Sequence, residues 1–463
     1  MSILVKLRKS ILLFLKTVLI TTLVVCFLIL HITFFRDTGG FFFNGYYVNA
    51  LLYAIILISF SSLYGALKFG VFRLSEIIYS FFLSIVITNI IAYIQMSLLD
   101  LKFLNAVPFI LLILVQMLVV LIFSFFINKL YFIMYPAREI VAVISGSSSD
   151  YLLLKKMQLK KDRYKVCGII EENCDRKKIF DAIGKHGAVL LCNVNDDLHY
   201  DIFSYCNIHG KRLYVMPSIR DVMIKNAHST QVFDTPLYYC KNAGLSTEQA
   251  IIKRFMDIVI SAVGLIILFP VMVIVAIAIK LEDGGPILFR QERLTRNSKV
   301  FKVIKFRSMV IDAEKDGKAV LAEQNDNRIT KVGKIIRMVR IDELPQLINI
   351  LLGQMSVVGP RPERPEIAKE YEKTIPEFIM RLSVKAGLTG YAQIHGRYNT
   401  SPQDKLLLDL MYTEGYSLML DMRIILMTIK ILFMPESTQG IEKGTELPLP
   451  EKTIGDIDID KIK

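Results

Sequence analysis

The sequence predicts a three-part membrane protein. It has an α-helical membrane region of four spans, a parallel α/β domain, and a mainly α-helical domain carrying a helix that enters the bilayer and returns. Three observations carry this. Four long apolar runs open the chain, short β-rich runs alternate with polar stretches after residue 138, and a late uncharged run is interrupted by Pro270. The expected boundaries are 1–135, 136–240 and 241–436, with a re-entrant helix at 255–280 and a flexible polar tail at 437–463.

The apolar runs span residues 11–35, 47–67, 77–99 and 103–127. Each is long enough to cross the ~30 Å hydrocarbon core, which takes a helix of about 20 residues. Lys6, Arg8 and Lys9 precede the first run, Lys68 and Arg73 separate the second and third, and Lys129 and Arg138 follow the fourth. The other two loops hold only Arg36-Asp37 and Asp100 with Lys102, so the positive-inside rule puts the N-terminus and everything after residue 130 in the cytoplasm. Lys16 sits early in the first run and can snorkel. No ionisable relay lies mid-membrane, which argues against transport. Nor does the first run look like a cleaved signal, since it lacks a small-residue cleavage site and more such runs follow it.

With 53% hydrophobic residues and a mean hydropathy of +0.45, part of this chain belongs in lipid. The net charge of +13 suits an anionic membrane face and anionic substrates. Nucleic acid is excluded as the partner, because the basic residues are not interleaved with aromatics on one compact domain. The six cysteines form no C-x-x-C pair and read as reduced cytosolic thiols. His186, His199, His209 and His228 are scattered without ligand spacing.

Residues 140–145, 165–170, 188–193 and 212–216 read as buried parallel strands with crossovers, a Rossmann-like unit. Its first turn, Val143-Ile-Ser-Gly-Ser-Ser-Ser-Asp150, has one glycine where a dinucleotide fingerprint has three. The unit therefore reads as a regulatory, spacer or dimerising element ahead of a nucleotide site.

Residues 258–279 are 22 uncharged residues, again long enough to span. Lys253 and Arg254 stand before them, with Lys280, Arg290, Arg293 and Arg296 after, so both ends favour the same face. Pro270 lies mid-run, where it removes a backbone hydrogen bond and clashes with the preceding turn. A helix that bends at Phe269-Pro270 and returns meets both facts.

Downstream, Phe289-Arg-Gln-Glu-Arg293 and Phe301-Lys-Val-Ile-Lys-Phe-Arg-Ser-Met309 place Arg293, Lys305 and Arg307 near the membrane surface. Arginine offers a fork for phosphate and lysine a point charge; the plainer alternative is a solvated face against lipid headgroups. Next comes VRIDELPQLINILLGQMSVVGPRPE, residues 339–363. A basic helix (Lys331, Lys334, Arg337, Arg340) precedes its adjacent acids Asp342 and Glu343, and a Gly359-Pro360-Arg361-Pro362 turn follows. One carboxylate can attack or act as base while the other holds a hard cation. Read alone, Asp-Glu before Leu344-Pro345 favours a helix cap, and it is the surroundings that argue for a site. The loop from Arg381 through Gly390 to Gln393 adds donors for an anionic or nucleotide ligand. Residues 417–433 form an amphipathic helix with Asp421, Arg423 and Lys430 as its polar positions, fit to lie in the interface plane.

Taken together, KRFMD (253–257), the Pro-broken helix, GGPILFRQER, KVIKFRSM, IDELPQLINILLGQMSVVGPRPE and VKAGLTGYAQIHGR resemble the bacterial sugar transferases, monotopic polyprenyl-phosphate phosphoglycosyl transferases. The resemblance covers about residues 245–433, and the part ahead of it looks like that of the large members. It implies transfer of a sugar phosphate from a UDP-sugar to undecaprenyl phosphate with Mg²⁺, at the cytoplasmic face of the bacterial inner membrane. This opens capsule, O-antigen or exopolysaccharide assembly. A homodimer is a family-level expectation. Asp342 matches the family's nucleophile, Glu343 its metal-associated partner, Lys305 and Arg307 its phosphate-facing KFR motif, and Arg361 its PRP turn. Two departures stand out: the family's glycines after Q-x-R are here Leu294-Thr-Arg-Asn-Ser-Lys299, and its aspartate before Met-Ser is Gln354. The rival functions are a glycosyltransferase that forms a glycosidic bond and releases UDP, and a non-catalytic assembly scaffold.

Overall fold

The structure, a computed structural model, describes residues 2–35, 45–240, 244–310, 328–396, 400–432 and 453–454. It divides into two compact units, residues 1–216 with 443–463, and residues 217–442.

The first unit opens with α1 (Ser2–Phe34), α2 (Gly45–Leu63), α3 (Leu74–Leu99) and α4 (Val107–Met134). All four are long and apolar enough to cross a membrane. Side chains that are apolar on every face leave the helix as the way to satisfy the backbone in lipid. Leu23, Phe27, Tyr53, Leu57, Phe81, Ile85, Leu112 and Val120 form their common core. At its centre lies Gln116, buried, donating to Leu23 O and Tyr53 Oη (2.9 Å each) and accepting from Asn89 Nδ2 (2.9 Å). One amide thus ties α4 to each of the other three helices.

The α/β part runs β1 (Arg138–Ile144), α5 (Ser148–Gln158), β2 (Tyr164–Glu171), α6 (Arg176–Lys185), β3 (Ala188–Cys192), α7 (Asp196–Ile208) and β4 (Arg212–Val215). Its strands are parallel in the order β2-β1-β3-β4. The apolar runs are continuous because helices cover both sheet faces. Ile140, Ala142 and Ile144 pack on α5, while Val141 and Val143 pack on α6 and α7. In the first turn, the Asp150 carboxylate accepts from Ser145 N (3.1 Å), Ser147 N (3.2 Å) and Asn193 Nδ2 (2.7 Å). A negative side chain thus takes the donors that a phosphate would need. The expected flexible tail lies outside the described residues, except that Thr453–Ile454 pairs parallel with β2.

The second unit begins at Pro217, earlier than the boundary expected at 240. The reason is α8 (Ile219–Lys225), whose Val222 is buried against Phe378, Leu406, Leu407 and Leu410 of this unit. An exposed hairpin, β5 (His228–Val232) and β6 (Thr235–Tyr239), follows. Then comes α9 (Thr247–Asp283), a single 37-residue helix that contains Pro270 and is longer at both ends than expected. Ser246 and Gln249 cap its start, and Gly284 ends it in the left-handed conformation (φ 71°). A hairpin of β7 (Leu288–Leu294) and β8 (Val300–Phe306) comes next, then α10 (Lys331–Met338), α11 (Gln346–Leu351) and β9 (Ser356–Val358). The unit continues with α12 (Pro365–Thr374), β10 (Gly387–Thr389), α13 (Tyr391–His395), α14 (Pro402–Glu414) and α15 (Leu418–Leu432).

Two of the three polar positions expected on the surface of α15 are buried instead, and Arg423 is half-buried. Asp421 is buried and takes Lys253 Nζ of α9 at 2.5 Å and Tyr412 Oη at 2.8 Å, and Lys430 is buried as well. Leu418, Met419, Met422 and Ile429 are the exposed residues. A buried charge needs its counter-ion, and the helix turns to supply it.

Candidate active site

Asp342 and Glu343 lie in a single 3₁₀ turn, Ile341–Glu343, between α10 and α11. Arg340, just ahead, is left-handed (φ 54°, ψ 24°), a conformation that a non-glycine residue holds only where its surroundings impose it. Both ends of the turn are secured. Glu282, near the end of α9, accepts from Lys331 N (2.7 Å) and Val332 N (3.2 Å) at the start of α10. On the other side, Arg254 donates to Ile350 O and Leu351 O (2.7 Å each) at the end of α11. The acids are thus clamped rather than serving as a plain cap.

Two cations reach the dyad. Lys305 Nζ donates to Glu343 Oε1 at 2.8 Å, and Arg361 Nη2 donates to the same oxygen at 3.1 Å. Among the described residues no hydrogen bond to Oε2 is found. Burial works against the Glu343 charge, but Lys305 and Arg361 outweigh it and hold the carboxyl well below the usual range. Asp342 moves the other way: burial and the Glu343 charge push it up to about 6, against the pull of Lys305, Arg337 and Arg361. Adjacent carboxyls driven apart in this way can take different roles.

Arg307, Arg381 and Arg293, also named from the sequence, are held by groups other than the dyad. Arg307 is buried and forks onto Asp283, with Nη1 to Oδ2 at 2.8 Å and Nη2 to Oδ1, so it fastens the end of α9 to β8. Arg381, expected among the phosphate ligands, is 1% exposed. Its Nε donates to Asp409 Oδ2 (2.7 Å) and its Nη2 to Arg361 O (2.9 Å), so this buried guanidinium is engaged by the protein itself. Arg293 donates to Pro362 O (3.1 Å), and Lys405 pairs with Glu363. Residues 361, 362 and 363 are therefore each held by a cation from behind. In this way Arg361 keeps its guanidinium, 40% exposed, toward Glu343. Gln393 donates to Leu388 O at 3.4 Å, and its Oε1 is buried with no partner among the described residues.

The glycines of the 387–390 loop answer to the same turn. A Cβ on Gly387 would lie 2.0 Å from Gly359 N, and one on Gly390 would lie 2.2 Å from Gly359 O. They allow backbone to touch backbone where β10 meets the Gly359-Pro360-Arg361 turn. Both departures noted in the sequence have local explanations. Asn297 and Ser298 hold left-handed angles (φ 56° and 58°) at the tip of the β7–β8 hairpin, the shape that glycines would otherwise supply. Gln354 Oε1 accepts from Asn349 Nδ2 (2.6 Å), and Asn349 in turn bonds Ile304 N and Lys302 O of β8. An amide there steadies the strand that carries Lys305.

Asp283, Lys405 and Asp409 were not singled out from the sequence. Asp409 could have been, because it lies among Leu406, Leu407 and Leu410 on the apolar face of α14. A carboxylate in that position implies a buried cationic partner.

The bacterial sugar transferase family pattern matches residues 248–435, the stretch that builds this site. A Rhizobium leguminosarum bv. phaseoli exopolysaccharide production protein, PSS, is 40% identical over 198 residues, 41% of this chain and 97% of that protein. The chain belongs to the bacterial sugar transferase family. Two larger members are also similar. The UDP-glucose:undecaprenyl-phosphate glucose-1-phosphate transferase of Klebsiella pneumoniae is 39% identical over 222 residues, 47% of each chain. The UDP-N-acetylgalactosamine-undecaprenyl-phosphate N-acetylgalactosaminephosphotransferase of Aeromonas hydrophila is 40% identical over 186 residues, 40% of this chain and 44% of that one. The match thus spans less than half the length of these two larger sugar transferases.

Proposed function

We propose that this protein transfers a sugar 1-phosphate from a UDP-sugar to undecaprenyl phosphate, giving undecaprenyl-diphospho-sugar and UMP. This is the first membrane step of exopolysaccharide, capsule or O-antigen synthesis. The observation that carries the reading is the split dyad: Glu343 held ionised by Lys305 and Arg361, beside Asp342 with its carboxyl raised to about 6. The activities for which the two larger relatives are named agree with it.

Asp342, ionised at neutral pH, attacks the β-phosphorus of the UDP-sugar. An Oδ–P bond forms, the P–O bond to UMP breaks, and the sugar phosphate stays on the carboxylate as an acyl phosphate. The lipid phosphate oxygen then attacks that phosphorus and releases the Asp342 carboxylate. Covalent catalysis divides one displacement into two. Lys305 and Arg361, drawn from Glu343 to the phosphoryl oxygens, offset the charge that develops there. The donor set fits Mg²⁺: two adjacent carboxylates, with both cations on Oε1 of Glu343. Glu343 would hold the ion with Asp342 beside it. When bound, Mg²⁺ supplies further neutralisation of phosphoryl charge.

The membrane seating follows from α9. Its start is fastened through Lys253, Arg254 and Asp257, and its end through Glu282 and Asp283, all to one unit. A crossing helix would place those ends on opposite sides of ~30 Å of hydrocarbon. Fastening to a single polar unit therefore supports a helix that bends at Pro270 and returns to the cytoplasmic face. Ile266, Ile267, Phe269 and Ile274 of α9 are exposed for lipid, as are Ile335, Met338 and Leu352 flanking the dyad. In this reading α1–α4 are four spans of a multi-pass protein of the bacterial inner membrane. The parallel order β2-β1-β3-β4 supports a Rossmann-like domain, which this reading puts at the cytoplasmic face.

The test uses detergent-solubilised full chain with undecaprenyl phosphate, Mg²⁺ and a panel of UDP-sugars. UMP release with one sugar is the expected result, and it names the substrate. UDP release would replace the reading with glycosidic transfer, and inactivity of folded protein across the panel would favour the scaffold.

A further inference from the structure

Neither the cysteines nor the histidines show metal spacing along the chain, but a sheet can gather ligands that sequence spacing hides. Strands β2, β1 and β3 are parallel neighbours. Between β1 and β2 the register shifts, so that Ile140 faces Val166 while Val141 faces Gly168. Cys167 is the extra residue of that bulge, a device that re-aims a side chain out of the strand's alternation. Glu139 stands on β1 just ahead of the shift. His186 leads into β3 from the end of α6, its carbonyl held by Lys211 Nζ at 2.7 Å. A carboxylate oxygen, a sulfur and an imidazole nitrogen from Glu139, Cys167 and His186 lie within 4.8 Å of one another. His186 Nδ1 is also buried with no hydrogen-bond partner among the described residues.

We propose that Glu139, Cys167 and His186 form a site for a borderline transition-metal cation, Zn²⁺ foremost, at the N-terminal edge of this sheet. A thiolate with an imidazole selects such an ion, whereas Mg²⁺ and Ca²⁺ prefer all-oxygen sets. Three protein ligands leave the fourth tetrahedral position to water. Glu139 is exposed and the other two are half-buried, so the ion can enter. Among the described residues the Glu139 carboxylate makes a loose, exposed ion pair with Lys165 at 3.4 Å, which a dication displaces readily. On binding, the Cys167 thiol gives its proton to solvent as the sulfur–metal bond forms. The occupied site fastens three adjacent strands, and occupancy raises the thermal midpoint of the fold by mass action.

The test is a titration of reduced, chelator-stripped full chain in detergent with Co²⁺ alone, followed by Zn²⁺. The expected result is an ultraviolet thiolate-to-cobalt charge-transfer band that saturates at a single equivalent and is bleached by Zn²⁺. Cobalt held only by carboxylates, as at Asp342 and Glu343, gives no such band, so the two sites are distinguishable. Cys167→Ser removes the band, and Cys240→Ser, at an exposed cysteine, keeps it. His186→Gln and Glu139→Gln weaken cobalt binding by at least about tenfold, the lower bound for loss of even an outer-shell partner. Folding of each variant is checked by circular dichroism, and the exposed Glu139→Gln variant remains informative if Cys167→Ser fails to fold. No charge-transfer band from folded wild-type chain, or a band that survives Cys167→Ser, overturns the site.

Discussion

Two clusters in the second unit are built from the same kinds of residue and do different work. In one, Lys305 and Arg361 share a single oxygen of Glu343 beside Asp342. In the other, Arg381 and Asp409, each 1% exposed, hold each other by two bonds to one carboxylate oxygen, with Glu363 and Lys405 alongside. The first has an arginine that solvent reaches and a carboxylate whose second oxygen takes no hydrogen bond among the described residues. The second is closed to ligands, and its outward act is one hydrogen bond to the Arg361 carbonyl. A cation's role is therefore decided by whether a ligand can reach it, more than by the motif in which it sits.

The comparison breaks most sharply at its acids. Asp342→Asn should cut turnover by about a thousandfold or more, as loss of a nucleophile does, and abolish any covalent sugar-phosphate adduct. Stability should move the opposite way. A carboxyl raised in the folded state favours folding while protonated, and that contribution is lost as pH rises from the unfolded range through about 6. At pH 7 the neutral amide removes the cost, so thermal unfolding of Asp342→Asn should occur at or above the wild-type midpoint. An adduct on Asp342→Asn, by mass spectrometry, would unseat the nucleophile assignment.

Asp409→Ala should do the reverse, costing about 3–5 kcal/mol by leaving a buried guanidinium uncompensated. The double variant Arg381→Met/Asp409→Leu sharpens the point. Apolar replacement of both partners should recover much of that loss in denaturant unfolding, since buried pairs give little net stability. Activity should stay low, because Arg361 has lost the donor that seats its backbone. Full activity in the stable double variant would show that the turn needs no such support.

The same contrast explains what could be read from the sequence. The long apolar helices and the parallel strands were legible because each leaves a local mark: runs of apolar residues, or period and length. The inward charges of α15 were not, because an amphipathic pattern states which face is polar without saying what waits for it. Lys253 meets Asp421 across 168 positions of sequence. Arg293, Arg307 and Arg381 were grouped with the phosphate ligands on charge and motif alone. Their partners Pro362, Asp283 and Asp409 lie on other elements, and only the fold brings them together. The early domain boundary was missed for a related reason, since α8 looks like a continuation of the α/β pattern until Leu406 and Leu410 are seen to cover Val222.

The pH profile tests the electrostatic half of the comparison. Below about pH 6, kcat/KM should fall about tenfold per unit as Asp342 takes up its proton. Lys305 lowers the Asp342 carboxyl, so Lys305→Met should move this acid limb to higher pH as well as slow the reaction. The folded double variant at Arg381 and Asp409 should lose rate with the limb in place. Equal shifts in both would mean that the two clusters act as a single field.

The smallest effect is expected in the helices of the first unit, where the polar centre is neutral. Gln116 links α4 to α1, α2 and α3 through Leu23 O, Tyr53 and Asn89 without an ion. Hydrogen bonds between helices in lipid contribute modestly, because the separated helices also find partners. Gln116→Leu should therefore cost about 1 kcal/mol in detergent unfolding, well short of Asp409→Ala, and leave the acid limb of activity where it was. Tyr53 and Asn89 lose a shared partner in that variant, so a cost as large as the charged cluster's would mean that the bundle depends on a single amide as fully as the site depends on its buried arginine.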